Sequence, residues 1–273
     1  MNYEAIQGIN QSTLKHFHKC KSLAHAHYNS HKKYDNETLS FGRLVHSLIL
    51  ERELFDSQYI VADKPDCRTT VGKNLWSALL ADASNSGRAL VSQADFATAD
   101  RMRRAVESHP AARELLYTVH PAPARRQTEQ LLVGVLADVD GAQHDAKGRA
   151  DCILTEYYTQ PVIVDLKTTD DASSRGFMDS CAKYAYHLQA AFYVDLLVSH
   201  GLPDAKFVFV AVEKTAPYGV QVFEADEEFI ARGRSAYKNA LKLWAECQKK
   251  LLMLEEIPAY SDTIETAQLP TWA

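Results

Sequence analysis

The stretch Gly148-Arg-Ala-Asp-Cys-Ile-Leu-Thr-Glu-Tyr-Tyr-Thr-Gln-Pro-Val-Ile-Val-Asp-Leu-Lys167 decides the reading of this chain, because it sets two aspartates and a lysine among β-type runs. Val162 to Leu166 reads as a buried strand and Arg149 to Tyr157 as the strand before it. Side chains alternate along a strand, so Asp165 and Lys167 project from one face. A hairpin between the two strands brings Asp151 beside Asp165. Two carboxylates that close repel unless a cation sits between them. Hard oxygen donors of this kind suit Mg2+, with Mn2+ able to substitute. Lys167 then stands beside the metal, able to position a water or offset charge on a phosphate. The plainer reading of the same residues is a buried Asp165–Lys167 ion pair with Asp151 in a turn.

Outward from the hairpin, Glu129 to Asp138 reads as another strand, with turn chemistry at Asp140-Gly141 and Gly148. Downstream, Met178 to Val198 reads as one long helix closed by His200-Gly201 and Pro203. Phe207 to Val212 and Val220 to Phe223 read as strands, and Asp226 to about Leu254 as a last helix. Upstream, Ser12 is placed to cap a helix through Tyr28, and Phe41, Leu44, Val45, Leu48 and Ile49 give Leu39 to Phe55 a helical period. Val71 to Ala83 and Ser92 to Glu107 follow as helices, the second ended by His109-Pro110. The expected architecture is α/β: a central mixed β-sheet flanked by helices, in one domain. Its mainly helical part covers residues 1–120, its α/β core 121–225, and a helix and tail 226–273.

With 46% hydrophobic and 24% charged residues, the chain has the make-up of a globular protein with a full core. No run reaches the ~18 apolar residues of a spanning helix, and the start lacks a basic leader or signal core. No membrane association and a place in the cytosol are therefore expected. Cys20, Cys67, Cys152, Cys181 and Cys247 are scattered, without a C-x-x-C pair, which argues against zinc ribbons and iron–sulfur clusters. The net charge of −5 disfavours a polyanionic partner at first sight. Lysines cluster in residues 1–33 and arginines in 101–126, however, while acids gather near the C-terminus. Such segregation permits a basic groove on an acidic protein, and solvated helix faces fit it equally.

Gly148-Arg-Ala-Asp151 followed by Val164-Asp-Leu-Lys167 resembles the PD-(D/E)XK nuclease signature, with Ala150 where the family name has proline. Tyr186-His-Leu-Gln189-Ala-Ala-Phe-Tyr193 resembles the Y-x-x-Q-x-x-x-Y helix of the RecB-like branch, and Phe41-Gly-Arg-Leu-Val-His46 its G-x-x-x-H helix. With Asn10-Gln-Ser-Thr-Leu-Lys15 and Cys67-Arg-Thr-Thr-Val-Gly-Lys73, the chain looks most like the RecE-type (exonuclease VIII) phage and prophage exonucleases. The resemblance implies a restriction-endonuclease-like core. It further implies that His46, Asp151, Asp165 and the Leu166 carbonyl bind metal, with Lys167 activating water. It gives Gln189 and Tyr193 a role in touching DNA or orienting the lysine, and Glu129 the place of an auxiliary acid near the metals. Arg43, Arg68, Lys73 and Arg149 are candidate phosphate contacts.

The implied activity is Mg2+-dependent 5′-to-3′ exonucleolysis from double-stranded DNA ends. It leaves 3′ overhangs for a single-strand-annealing partner of the RecT/Bet type, carried out by a homo-oligomeric ring. A different RecB-like nuclease, of endonuclease or CRISPR-adaptation type, and a non-catalytic DNA-binding protein that keeps the fold are the rival readings. His16, His18, His25, His27 and His31 are numerous, but i,i+2 pairs on a helix point apart, which argues against a metal site there.

Overall fold

The computed structural model describes residues 3–19, 37–118, 126–157, 159–253, 264 and 266. The N-terminal part runs through α1 (Gln11–Lys19), α2 (Glu37–Leu50), a single helical turn at Phe55–Gln58, β1 (Tyr59–Ala62), α3 (Thr70–Asn85), β2 (Ala89–Ser92), α4 (Gln93–Ser108) and α5 (Pro110–Leu116). Then come β3 (Arg126–Ala137), β4 (Gln143–Tyr157) and β5 (Gln160–Thr169), followed by α6 (Ser174–Lys183) and α7 (Tyr186–Val198). The chain continues through β6 (Lys206–Glu213), β7 (Val220–Glu224) and α8 (Glu227–Leu252). The expected mixed sheet with helical cover is what forms: β3-β4-β5-β6-β7 in spatial order, antiparallel at each step except the parallel β5–β6 pair.

Alternation along the strands divides the core in two. Ile163, Phe207, Phe209 and Ala211 face one way and pack with Leu14 and Phe17 of α1, Leu188 and Phe192 of α7, and Tyr237 of α8. Val162, Val164, Leu166, Val208, Val210 and Val212 face the other way, against Leu44, Val45 and Leu48 of α2 and Met102 and Val106 of α4. Each such side chain contributes about 1.5–3 kcal/mol on burial. Because β5 is covered on both faces, it reads as a continuous apolar run until Asp165 interrupts it.

Gly134 and Gly148 let α7 lie close to the first two sheet strands. A Cβ on Gly148 would lie 2.4 Å from Tyr193 Cε1, and one on Gly134 2.6 Å from Ser199 Oγ. Tyr193 then donates its hydroxyl to the Arg149 carbonyl at 2.8 Å, fixing the strand two residues before Asp151. Gly148→Ala is accordingly expected to cost about 1–3 kcal/mol, read as a lowered urea midpoint with an unchanged m-value. An unchanged midpoint would show that the tyrosine ring can give way.

Several elements differ from the sequence reading. Asn10, not Ser12, caps α1 through Thr13 N–H at 2.9 Å. The expected continuation of that helix to Tyr28, with His25, His27 and His31, lies outside the described residues. The Met178–Val198 segment is two helices, broken at Ala185, which adopts φ 51°. Pro110 closes α4 but also opens α5, where proline's missing N–H does no harm. The parallel β1–β2 pair was not foreseen, four residues being too short for a periodic signal. Among the described residues no helix is long and apolar enough to cross a membrane. Cys152 and Cys181 are free and buried, Cys247 is buried, and Cys67 is free and half-buried.

Candidate functional site

The β4–β5 ladder runs only as far as the Cys152–Val164 pair, and the strands separate at Asp151 and Asp165. The Leu166 amide donates to Asp151 Oδ2 at 2.8 Å, so the carboxylate takes up a donor at the point where the strands part. Across the other ladder, Thr128–Cys152 and Gln130–Ala150 are paired while the intervening Glu129 is not. Glu129 holds φ 48°, a conformation rare and strained for a residue other than glycine. This kink aims its carboxylate at Asp151. His46, carried on α2, brings Nδ1 to 3.6 Å from Asp151 Oδ2. One donor atom each from His46, Glu129 and Asp151 lie within 4.8 Å of one another.

Asp165 stands apart from that group. Its side chain is buried, its Oδ2 is ion-paired with Lys167 Nζ, and its Oδ1 accepts from Gln189 Nε2 at 2.6 Å. Gln189 in turn accepts from Lys15 Nζ at 2.8 Å through Oε1. Alternation does place Asp165 and Lys167 together, and the cation against Asp165 is the lysine's own ammonium group.

The electrostatics follow from this crowding. Burial, with Asp151 and Glu51 adding like charge against the opposing pull of Arg149, pushes the Glu129 carboxyl up to about 7. Burial also pushes the Asp165 carboxyl up, opposed chiefly by Lys167. Burial works against charge on Lys167, but Asp165 and Asp151 outweigh it and hold the ammonium group above its ordinary value. Lys167 therefore stands beside Asp165 as a charged ammonium group at neutral pH.

Two carboxylates and an imidazole form a donor set of the right chemistry for a divalent cation with hard-oxygen preference, Mg2+ or Mn2+. The raised Glu129 pKa shows that its carboxylate charge is under-compensated. A folded carboxyl near 7, against 4.5 in the unfolded chain, makes the native state the tighter proton binder between those values. Stability thus falls as pH rises through that window. In EDTA, the native protein is expected to lose about 2 kcal/mol more than Glu129→Gln on going from about pH 5 to about pH 8. Mg2+ should raise the melting temperature more at the higher pH. Parallel pH profiles for the two proteins would show that Glu129 is not under this strain.

The group opens into a cleft of about 1010 Å³ lined by His46, Asp151, Leu166 and Lys167 together with Lys15, Arg43, Arg149, Lys183 and Lys214. Arg43 and Arg149 therefore reach the site proposed for them, Arg149 lying 3.9 Å from Glu129 and over the Tyr3 ring. Arg68 and Lys73 do not line the cleft; Arg68 folds back on Asp66 at 2.9 Å. Gln189 and Tyr193 are buried behind the wall, where they touch Asp165 and the Arg149 carbonyl. That placement fits support of the acidic group rather than contact with a ligand.

The arginine-rich 101–126 segment adds nothing to the cleft among its described residues; Arg103 and Arg104 pair with Asp100 on the outer face of α4. Lys183 and Lys214 escaped the sequence reading because they come from separate segments, and Lys15 because its motif says nothing of its reach to Gln189.

A family model described as "PDDEXK-like domain of unknown function (DUF3799)" matches residues 10–270. Among solved structures, a protein from Eubacterium rectale that carries a provisional exonuclease name superposes with a TM-score of 0.60. It has 13% identity, over 99% of this chain and 96% of that one. A phage-related exonuclease from Haemophilus somnus 129PT is 12% identical over 67% of this chain and 85% of that one, with a TM-score of 0.31, too low to carry weight. No curated protein matches the sequence.

Proposed function

The chain belongs to the PDDEXK-like family of unknown function (DUF3799), and from that premise we propose that it is a metal-dependent deoxyribonuclease. The observation that carries this reading is the convergence of His46, Glu129 and Asp151, with the Asp165–Lys167 pair alongside, in a cleft whose wall carries lysines and arginines among further acids. His46, Glu129 and Asp151 would hold Mg2+ or Mn2+, with Asp165 and the Leu166 carbonyl adjacent. A bound divalent cation would supply Lewis-acid charge to the phosphate and ease ionisation of water. Lys167, kept protonated by its carboxylate neighbours, donates to the phosphate oxygens and orients the attacking water. Gln189 locks the Asp165 carboxylate through Oδ1 and so fixes where the lysine ammonium group sits. Arg43 and Arg149 receive the flanking phosphates.

The finer reading is a 5′-to-3′ exonuclease acting at double-stranded DNA ends, leaving 3′ overhangs for an annealing protein of the RecT/Bet type and working as a homo-oligomeric ring. A 5′-labelled linear duplex and a covalently closed circle, each incubated with Mg2+, test it. Release of 5′ nucleotides from the linear form with the circle left intact is expected. Circle cutting at the same rate would replace the exonuclease by an endonuclease, and cation binding without any hydrolysis would favour a DNA-binding protein that only keeps the fold.

A further inference from the structure

At the junction of α6 and α7 the chain builds a ladder of aromatic rings that leads out of the core and ends in the cleft. Ala185, 2% exposed, takes the left-handed φ of 51° between two tyrosines. This kink stops one helix and starts the next, and it brings the Tyr184 and Tyr186 rings into a stack with centroids 5.8 Å apart and planes at 28°. Tyr186 continues the stack inward onto Phe209 at 5.9 Å and 30°. The same Tyr186 ring carries Lys167 Nζ at 4.8 Å and Lys15 Nζ at 5.2 Å. Tyr184, 47% exposed, is the outermost ring and lines the cleft that holds Asp151 and Lys167. Lys183 Nζ lies over its ring, 5.2 Å from the centre, so a base stacks there only once this lysine swings aside.

A half-exposed ring, backed by a second ring that itself carries two ammonium groups and with a lysine beside it, has the make-up of a surface for nucleobase stacking. Base faces stack on aromatics whatever the sequence, and lysines beside them hold the connecting phosphates. We propose that Tyr184 is a stacking platform for an unpaired nucleobase of the DNA strand whose phosphate approaches Lys167, with Lys183 contacting a phosphate of the same strand. Bases inside a duplex are already stacked on both sides, so the platform selects single strands and frayed ends over intact blunt duplex. This inference rests on the nuclease reading of the same cleft.

The test uses the full chain with Ca2+ in place of Mg2+ and DNA carrying 2-aminopurine, whose fluorescence falls on stacking. Three probes are compared: a single strand, a duplex with mismatched terminal pairs, and a blunt duplex. The wild-type protein should quench the first two. Tyr184→Ala should abolish that quench and weaken binding to both roughly tenfold, leaving the blunt duplex unaffected. Tyr184→Phe, which keeps the ring, should retain quench and affinity. Full quench and affinity in Tyr184→Ala, or equal weakening on all three probes, would overturn the platform. A wild-type protein that cleaves DNA in Mg2+ while Tyr184→Ala behaves identically sinks this inference alone. A wild-type protein that neither binds nor cleaves DNA sinks the nuclease reading.

Discussion

Replacing Asp165 by asparagine is expected to lower DNA hydrolysis by about 10³-fold or more and, unusually for an active-site change, to lower stability as well. Asp165 and Lys167 face each other as a buried ion pair, and the asparagine would leave the lysine ammonium group without its counter-charge. Removing one partner of such a pair typically costs about 3–5 kcal/mol. Lys167 retains some solvent contact, with 16% of its side chain exposed, so the lower end applies. A loss of about 3 kcal/mol corresponds to a drop of roughly 6–12 °C in melting temperature for a chain of this size. The double variant Asp165→Asn, Lys167→Met removes both charges and should recover most of that loss without recovering activity. Persistent instability in the double variant would show that the ion pair does not carry the cost.

Asp151→Asn should suppress hydrolysis to a similar degree, by about 10²–10³-fold at least, with the opposite effect on the metal-free fold. Asp151 adds negative charge to Glu129 and to Asp165 and raises the pKa of both. Asparagine keeps an oxygen to accept the Leu166 amide, yet removes the repulsion. In EDTA the variant should therefore be as stable as the native protein or more so, and the rise in melting temperature on adding Mg2+ should vanish. Assaying the two variants side by side separates two roles that activity alone would merge. Asp151 adds like charge to its neighbours, whereas Asp165 has its counter-charge in Lys167.

The sheet and its chemistry were legible where local sequence carries the signal. Val162-Ile-Val164 could only be a buried strand, and strict alternation then puts Asp165 and Lys167 on one face. His46 could be placed on a helix from its apolar neighbours, but only three-dimensional packing of α2 over the strand ends brings it to Asp151. Glu129 read as a strand-end acid that could as easily be solvated. Its recruitment depends on a positive φ at a residue that is not glycine, which leaves no mark in composition. The same holds at Ala185, where neither glycine nor proline announces the break between α6 and α7. The almost wholly buried α7 hides the roles of Gln189 and Tyr193, since polar residues on such a helix show their partners only once packed. Arg68 lies away from the cleft, held by an aspartate two residues before it, a pairing that its motif does not announce.

Anomalous diffraction from crystals of the full chain soaked in Mn2+ would show which side chains take the cation. A manganese peak is expected beside the point where β4 parts from β5, with His46, Glu129 and Asp151 oxygen or nitrogen atoms at about 2.0–2.6 Å from it. A peak at any other cluster, or none at saturating Mn2+ with all three side chains ordered as described, would contradict it.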